Sequence, residues 1–189
     1  MKAKNSRVTI HMVASLDGFI AKKDGSVSWM DSTDNYEQGI TLTEGYIADF
    51  LEAIDCYVMG ARTYEHAINL GWPYGETPVF VLTNRPHESD NNSVNFLSGN
   101  LRAIVNEKLK PKYKNIWMVG GSMLTKKFLS LGLADEINIT IVPILLGGGT
   151  LFFDYIGSEQ SLHLKEVTAF KNGMVELWYE IVKESKEVI

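Results

Sequence analysis

The chain has 189 residues, 45% of them hydrophobic and 22% charged, which suits one globular domain spanning 1–189 with a sizeable core. A formal net charge of -5 speaks against a nucleic-acid surface, and no apolar run approaches the ~18 residues that crossing a membrane takes. The one cysteine, Cys56, permits no internal disulfide and no multi-cysteine metal site, so no metal, nucleic acid or membrane is expected as a partner.

In chain order, Lys2, Lys4 and Arg7 precede a short apolar run that His11 interrupts. This reads as a first strand over 8–14 rather than a signal peptide, and a cytoplasmic location is expected. Ser15-Leu16-Asp17-Gly18 is a turn, residues 19–21 resume apolar character, and 22–26 turn again. The stretch 28–41 is polar with Trp29, Met30 and Tyr36 scattered through it, as in a loop beside a ligand. Thr43-Glu44 opens a helix to about Ala53, with Ile47, Phe50 and Leu51 at helical spacing. Cys56 begins a strand over 56–59, where a small buried residue is a more natural reading than a nucleophile. A short helix over 63–69 stops at Gly71-Trp72-Pro73. Residues 78–82 read as strand, 87–93 as polar loop, and 101–109 as a helix with Leu101, Ile104, Val105 and Leu109 on one face. A buried strand follows at 115–119, then a helix over 122–131 that Gly132 stops. A long strand over 137–146 contains Pro143, which belongs at an edge or bulge because it cannot donate to a ladder. Strands over 161–170 and 174–182 join at Asn172-Gly173, a tight-hairpin signal. Strands alternating with helices and a closing hairpin define an α/β fold: a mostly parallel central sheet flanked by helices, with an antiparallel C-terminal hairpin.

Two strand ends stand out. Met59-Gly60-Ala61-Arg62-Thr63 and Val119-Gly120-Gly121-Ser122-Met123-Leu124 each run from an apolar strand through glycine into a helix, with Thr63 and Ser122 at plausible N-cap positions. A helix N-terminus offers free N–H groups and a positive dipole end. Glycine removes the Cβ that blocks close approach. Two such ends suit two parts of one long phosphorylated ligand such as a dinucleotide.

The ordered set of Met59-Gly60-x-x-Thr63-Tyr64-Glu65, Val81-Leu82-Thr83-Asn84-Arg85, Val119-Gly120-Gly121-Ser122, Ile139-Thr140-Ile141 and Gly149-Thr150-Leu151-Phe152 resembles dihydrofolate reductases. Ser15-Leu16-Asp17-Gly18-x-Ile20-Ala21 and Leu145-Leu146-Gly147-Gly148-Gly149 are similar to the C-terminal reductase domain of bacterial riboflavin biosynthesis, the RibD C-terminal type, which shares that fold. The resemblance implies an NADPH-dependent reductase that passes hydride to a small heterocyclic substrate. The closest family activity is 5-amino-6-(5-phosphoribosylamino)uracil reductase. It also implies a homodimer paired through late strands, and a cis peptide between Gly120 and Gly121.

By the same resemblance, Gly60, Ala61, Arg62 and Thr63 meet the pyrophosphate and adenosine half of the cofactor. Thr83, Asn84 and Arg85 lie near its 2′-phosphate. Val119, Gly120, Gly121, Ser122, Met123 and Leu124 cradle the pyrophosphate and nicotinamide side, and Thr150 joins the cofactor set. Trp29, Met30, Tyr36 and Ile47 line a substrate pocket or are plain core. Two positions depart from riboflavin-pathway reductases. Val119 stands where a Glu is usual, and the helix from Glu44 has no Arg, His or Lys to hold a ribose phosphate.

Reduction of a C=N bond needs a proton as well as a hydride. Asp17 is the first candidate donor and Glu44 the second. Their plainer roles are a turn acceptor for Asp17 and a first-turn helix acid for Glu44. His11, inside a strand, reads as a core histidine. Two other readings stay open: dihydrofolate reductase activity itself, and an NADPH- or flavin-binding module without turnover.

Overall fold

Period-2 alternation on β-branched and aromatic residues builds the centre of the molecule, an eight-stranded sheet. The computed structural model describes residues 6–85 and 88–183. His87, at the head of the expected polar loop, lies outside the described residues. The strands are β1 (Arg7–Ser15), β2 (Phe19–Ala21), β3 (Cys56–Gly60), β4 (Val79–Leu82), β5 (Val94–Leu97), β6 (Asn115–Met118), β7 (Glu136–Val142), β8 (Thr150–Leu151), β9 (Leu162–Ala169) and β10 (Val175–Ile181). The helices are α1 (Glu44–Glu52), α2 (Ala61–Asn69), α3 (Leu101–Ala103, continuing as a π-helical Ile104–Leu109) and α4 (Ser122–Ser130).

The sheet order is β5-β4-β3-β6-β1-β7-β10-β9. All pairs from β5 to β7 are parallel, and β10 runs antiparallel to both β7 and β9. β2 and β8 form a separate antiparallel ribbon. Parallel strands are buried on both faces. One face carries Val8, Ile10, Val58, Ile116 and Met118 under Phe128 and Leu129 of α4 and Ile104, Val105 and Leu109 of the π segment. The other carries Tyr57, Met59, Val79, Val81 and Trp117 under Tyr64 of α2 and Phe50 of α1.

Four expectations are corrected. The strand expected over 137–146 ends at Val142, because Pro143 has no N–H to continue a ladder; β7 is not an edge but lies between β1 and β10. The second helix starts at Ala61, two residues early, since Gly60 is its N-cap and Thr63 already lies in its first turn. Gly121 likewise caps α4 in place of Ser122. β5 and β8 are additional: Val94–Leu97 is a short edge strand, and Thr150–Leu151 acquires strand geometry only by pairing with β2.

The loop before α1 is fixed by backbone contact with the closing hairpin. Ile40 bridges Phe170, Tyr36 N donates to Lys171 O at 2.7 Å, and Lys171 N donates to Ile40 O at 2.9 Å. Gly39 is buried there, and a Cβ on it would run into the Phe170 carbonyl and Lys171 amide. Gly39→Ala should therefore lower stability by about 1–3 kcal/mol. Gly45→Ala, in α1 with only Thr43 Oγ1 nearby at 3.9 Å, should raise it by up to about 1 kcal/mol through helix propensity. Thermal unfolding of the two variants checks both signs.

Candidate active site

β3 and β6 are parallel neighbours, so their glycine ends emerge side by side: Gly60 N donates to Gly120 O at 3.2 Å and Val119 N to Val58 O at 3.0 Å. The Gly120–Gly121 peptide is cis. Gly120 has φ +99, a backbone conformation that favours glycine, and a Cβ on it would press on the movable Met12 methyl of β1. α1 and α3 are capped by side chains, with Thr43 Oγ1 accepting from Tyr46 N and Asn100 Oδ1 from Ala103 N. α2 and α4 begin at Gly60 and Gly121 with no side-chain cap. A Cβ on Gly60 would meet nothing within 4 Å, and one on Gly121 only Thr63 Oγ1, at 3.6 Å. Two uncapped nine-residue helices thus start from adjoining strand ends with free N–H groups, a fit for a pyrophosphate.

The β3–β4 register ends with Gly60 opposite Leu82, so the chain leaves for Thr83, Asn84 and Arg85 from the strand next to the one that leads into Ala61 and Arg62. Thr83 Oγ1 accepts from Arg85 N at 3.1 Å. Arg62, Asn84 and Arg85 are exposed, and neither arginine is ion-paired among the described residues. Ser122 is half-buried at the start of α4, Met123 is exposed, and Leu124 and Val119 pack into the two cores. Thr150 sits elsewhere, exposed on β8 opposite Ala21.

The four residues expected around a substrate sit in different surroundings. Trp29 is buried with its indole N–H unpartnered. Met30 N donates to Val27 O in a turn. Tyr36 is exposed, its hydroxyl donating to Gln38 Oε1 at 3.0 Å. Ile47 is exposed on α1. The two acids differ. The Asp17 carboxylate accepts from Ser15 Oγ (2.6 Å), Leu146 N (3.1 Å) and Gly147 N (2.7 Å). The Ser15 hydroxyl foremost, with these backbone N–H groups, holds its carboxyl below the usual range. It straps the loop after β7 to the turn after β1. Glu44 is exposed in the first turn of α1. Cys56 is fully buried, and burial pushes its thiol up to about 12, so it is inert packing.

Beneath α1, His11 is joined by polar side chains that reading the sequence did not single out. The register aligns His11 of β1, Asn138 of β7 and Trp178 of β10, with Val13, Thr140 and Glu176 in the next row. Burial lowers the His11 imidazole to about 4, so it is neutral. Its Nδ1 lies 3.0 Å from Asn138 Oδ1, which only accepts, and so carries the hydrogen. The available signal was polar residues at period 2 inside apolar strands, Asn138 and Thr140 in β7 and Glu176 in β10.

Parallel strands ending in uncapped glycine turns define a dihydrofolate reductase-type α/β fold. Consistent with this, the chain is similar to a dihydrofolate reductase from Enterococcus faecalis complexed with NADP(H), with TM-score 0.60, 18% identity and coverage of 95% of this chain and 98% of that one. The model of the RibD C-terminal domain matches residues 6–176, and the chain belongs to that reductase-type family. It is 33% identical over 175 residues to the uncharacterized protein YwjB of Bacillus subtilis (strain 168), covering 92% of this chain and 97% of that protein. It is also similar to the crystal structure of a putative riboflavin biosynthesis protein from Shewanella sp. PV-4, with TM-score 0.80, 28% identity and coverage of 94% and 99%.

Asp17 and His11 make checkable statements. The depressed Asp17 carboxyl contributes stability that is present above its unfolded value of about 3.9 and lost as pH falls through the lower folded value. Asp17→Ala should therefore speed amide hydrogen exchange at Leu146 and Gly147 several-fold at neutral pH. In the native protein those amides should open only well below pH 3.9. The depressed His11 pKa acts in the other direction: the unfolded imidazole binds its proton near pH 6.5 and the folded one only near 4. Its contribution makes stability climb from pH 4 to 6.5 and level off above. His11→Gln should flatten that window in denaturant titrations.

Proposed function

We propose that this protein is an NADPH-dependent reductase that transfers hydride to a small nitrogen heterocycle. The observation that carries the reading is the pair of uncapped helix N-termini at Gly60 and Gly121, joined through the Gly60–Gly120 hydrogen bond. Gly60, Ala61 and Thr63 on one side and Gly121, Ser122 and Met123 on the other would hold the pyrophosphate. Arg62 and Arg85, exposed and free of ion pairs among the described residues, would take the 2′-phosphate in a forked, charge-assisted contact. The bound nicotinamide supplies the hydride, and the chain's residues orient the acceptor and exclude water. Asp17 is assigned to holding the loop after β7, because its oxygens already serve three donors; Glu44 or an ordered water remains to deliver the proton. A cytoplasmic site of action suits such a cofactor.

We assign a homodimer to the sheet face opposite α1. A register shift at Lys165 keeps Leu162, Leu164 and Val167 of β9 on the same face as Ile181, Tyr179 and Leu177 of β10. The three β9 side chains are 44%, 47% and 53% exposed, an apolar stripe on an edge strand. A second copy would cover it.

By calorimetry, NADPH should bind roughly ten- to a hundredfold more tightly than NADH, and Arg85→Ala should remove most of that preference. Gly121→Ala makes only an ordinary contact with Thr63, so its unfolding temperature should hold while NADPH affinity falls at least tenfold. Equal affinity of native protein for the two nucleotides would remove the 2′-phosphate assignment. Light scattering at micromolar concentration should give a dimer, and Leu164→Lys a monomer.

A further inference from the structure

Methionines gather at the glycine turns. Of the seven in the chain, Met59 precedes Gly60, Met118 stands two residues before Gly120, and Met123 two after Gly121. A fourth, Met12, comes from β1. Ile10 pairs with Met118, and the same register carried two residues further sets Met12 opposite Gly120. A thioether is a soft, adaptable packing group, and it is also a side chain that peroxides convert to a sulfoxide.

Gly120 is held on three sides. Its N–H donates to Met118 Sδ at 3.2 Å, its carbonyl accepts from Gly60 N at 3.2 Å, and the Met12 methyl lies where a Cβ would be. A thioether is a weak acceptor, so the seat of the turn depends on the apolar contact with Met12 as well as on the two hydrogen bonds. The next residue, Gly121, is the uncapped start of α4. Lifting Gly120 therefore displaces the free N–H groups of the first turn of that helix.

The four sulfurs differ in surroundings. Met59 and Met118 are fully buried, and Met123 is 69% exposed. Oxidation of Met123 changes a side chain that already stands mostly in water. Met12 is half-buried and packs on the core that holds Ile10, Met118 and Phe128. It is thus open enough to meet a small oxidant and enclosed enough for the product to matter. A sulfoxide oxygen is a strong polar acceptor, and placing one in an apolar contact is costly unless it finds a donor.

We propose that Met12 is a redox-modification site: a hydroperoxide oxidises its thioether to the sulfoxide, which unseats the Gly120 turn and switches off dinucleotide binding. A sulfur lone pair attacks one peroxide oxygen, the O–O bond breaks, and the new S=O bond forms. Sulfur gives up two electrons, and the second oxygen leaves as water after proton transfer. The regulated ligand rests on the reductase reading, under which the protein stops drawing on NADPH while peroxide is present.

The full chain is exposed to hydrogen peroxide with and without NADPH, and peptide mass spectrometry locates the sulfoxides. Met123 should oxidise first and Met12 next, ahead of Met59 and Met118. Bound NADPH should slow Met12 oxidation several-fold. Calorimetry should show NADPH affinity falling by roughly tenfold or more in step with Met12 rather than Met123. Met12→Leu should bind NADPH after exposure as it did before, whereas Met123→Leu should still lose affinity. Methionine sulfoxide reductase should restore the native protein. Met12→Gln, polar and of similar size, should weaken NADPH without any oxidant while unfolding temperature shows it folded. Amide hydrogen exchange at Ser122, Met123 and Leu124 should quicken several-fold in the oxidised protein. The proposal is overturned if affinity falls while Met12 stays unoxidised, if Met12 sulfoxide forms and affinity holds, or if a folded Met12→Gln binds normally. Native protein that binds no NADPH removes the reductase reading, and the exchange rates then decide the switch alone: unchanged rates at these three amides after Met12 oxidation overturn it.

Discussion

The insertion of β6 between β3 and β1 is the constraint on which the rest of the structure depends. Parallel strands put all their carboxyl ends on one side of a sheet, and each must be followed by a crossover that carries the chain back. Because β6 arrives after β5 yet pairs with both β3 and β1, two strand-to-helix turns distant in sequence become neighbours. The Gly60 N to Gly120 O bond is the contact where they meet. Had β6 added at the outer edge of β5, each turn would be an ordinary glycine corner with no partner.

The two sheet faces then divide the labour. The face under α4 and the π-helical segment is apolar and densely filled, with Val8, Ile10, Val58, Ile116, Met118 and Phe128 fully buried; it supplies the stability expected of a core. The face under α1 carries Thr9, His11, Glu136, Asn138 and Glu176, and α1 covers it with half-buried aromatics only. Polar groups in a core weaken it unless satisfied. Glu136 is satisfied four times over, whereas Asn138 Nδ2 is not.

Asp17 shows how a chemically suggestive residue is absorbed by structure. A carboxylate in a turn after the first strand is well placed to act on a ligand, but its oxygens close the gap between that turn and the Leu146–Gly147 backbone. The same bonds that fix its position hold it ionised and suit it poorly to giving up a proton.

The sequence by itself determined the order of strands and helices, the mostly parallel character of the sheet and the two glycine turns, because these follow from local signals: apolar periodicity, glycine after a strand, and Asn-Gly in the closing hairpin. It also carried enough ordered motif to resemble the right family. Locally ambiguous pieces were not legible. Val94–Leu97 is too short to declare itself, and Thr150–Leu151 is a strand only because β2 lies beside it. The end of β7 depended on Pro143 ending a ladder whose two sides come from β1 and β10. Only the tertiary structure decided which polar residues share a face. His11, Asn138 and Glu176 come from three segments spread over most of the chain, and a residue's side of a sheet is a matter of register, which cross-strand pairing sets and local sequence does not.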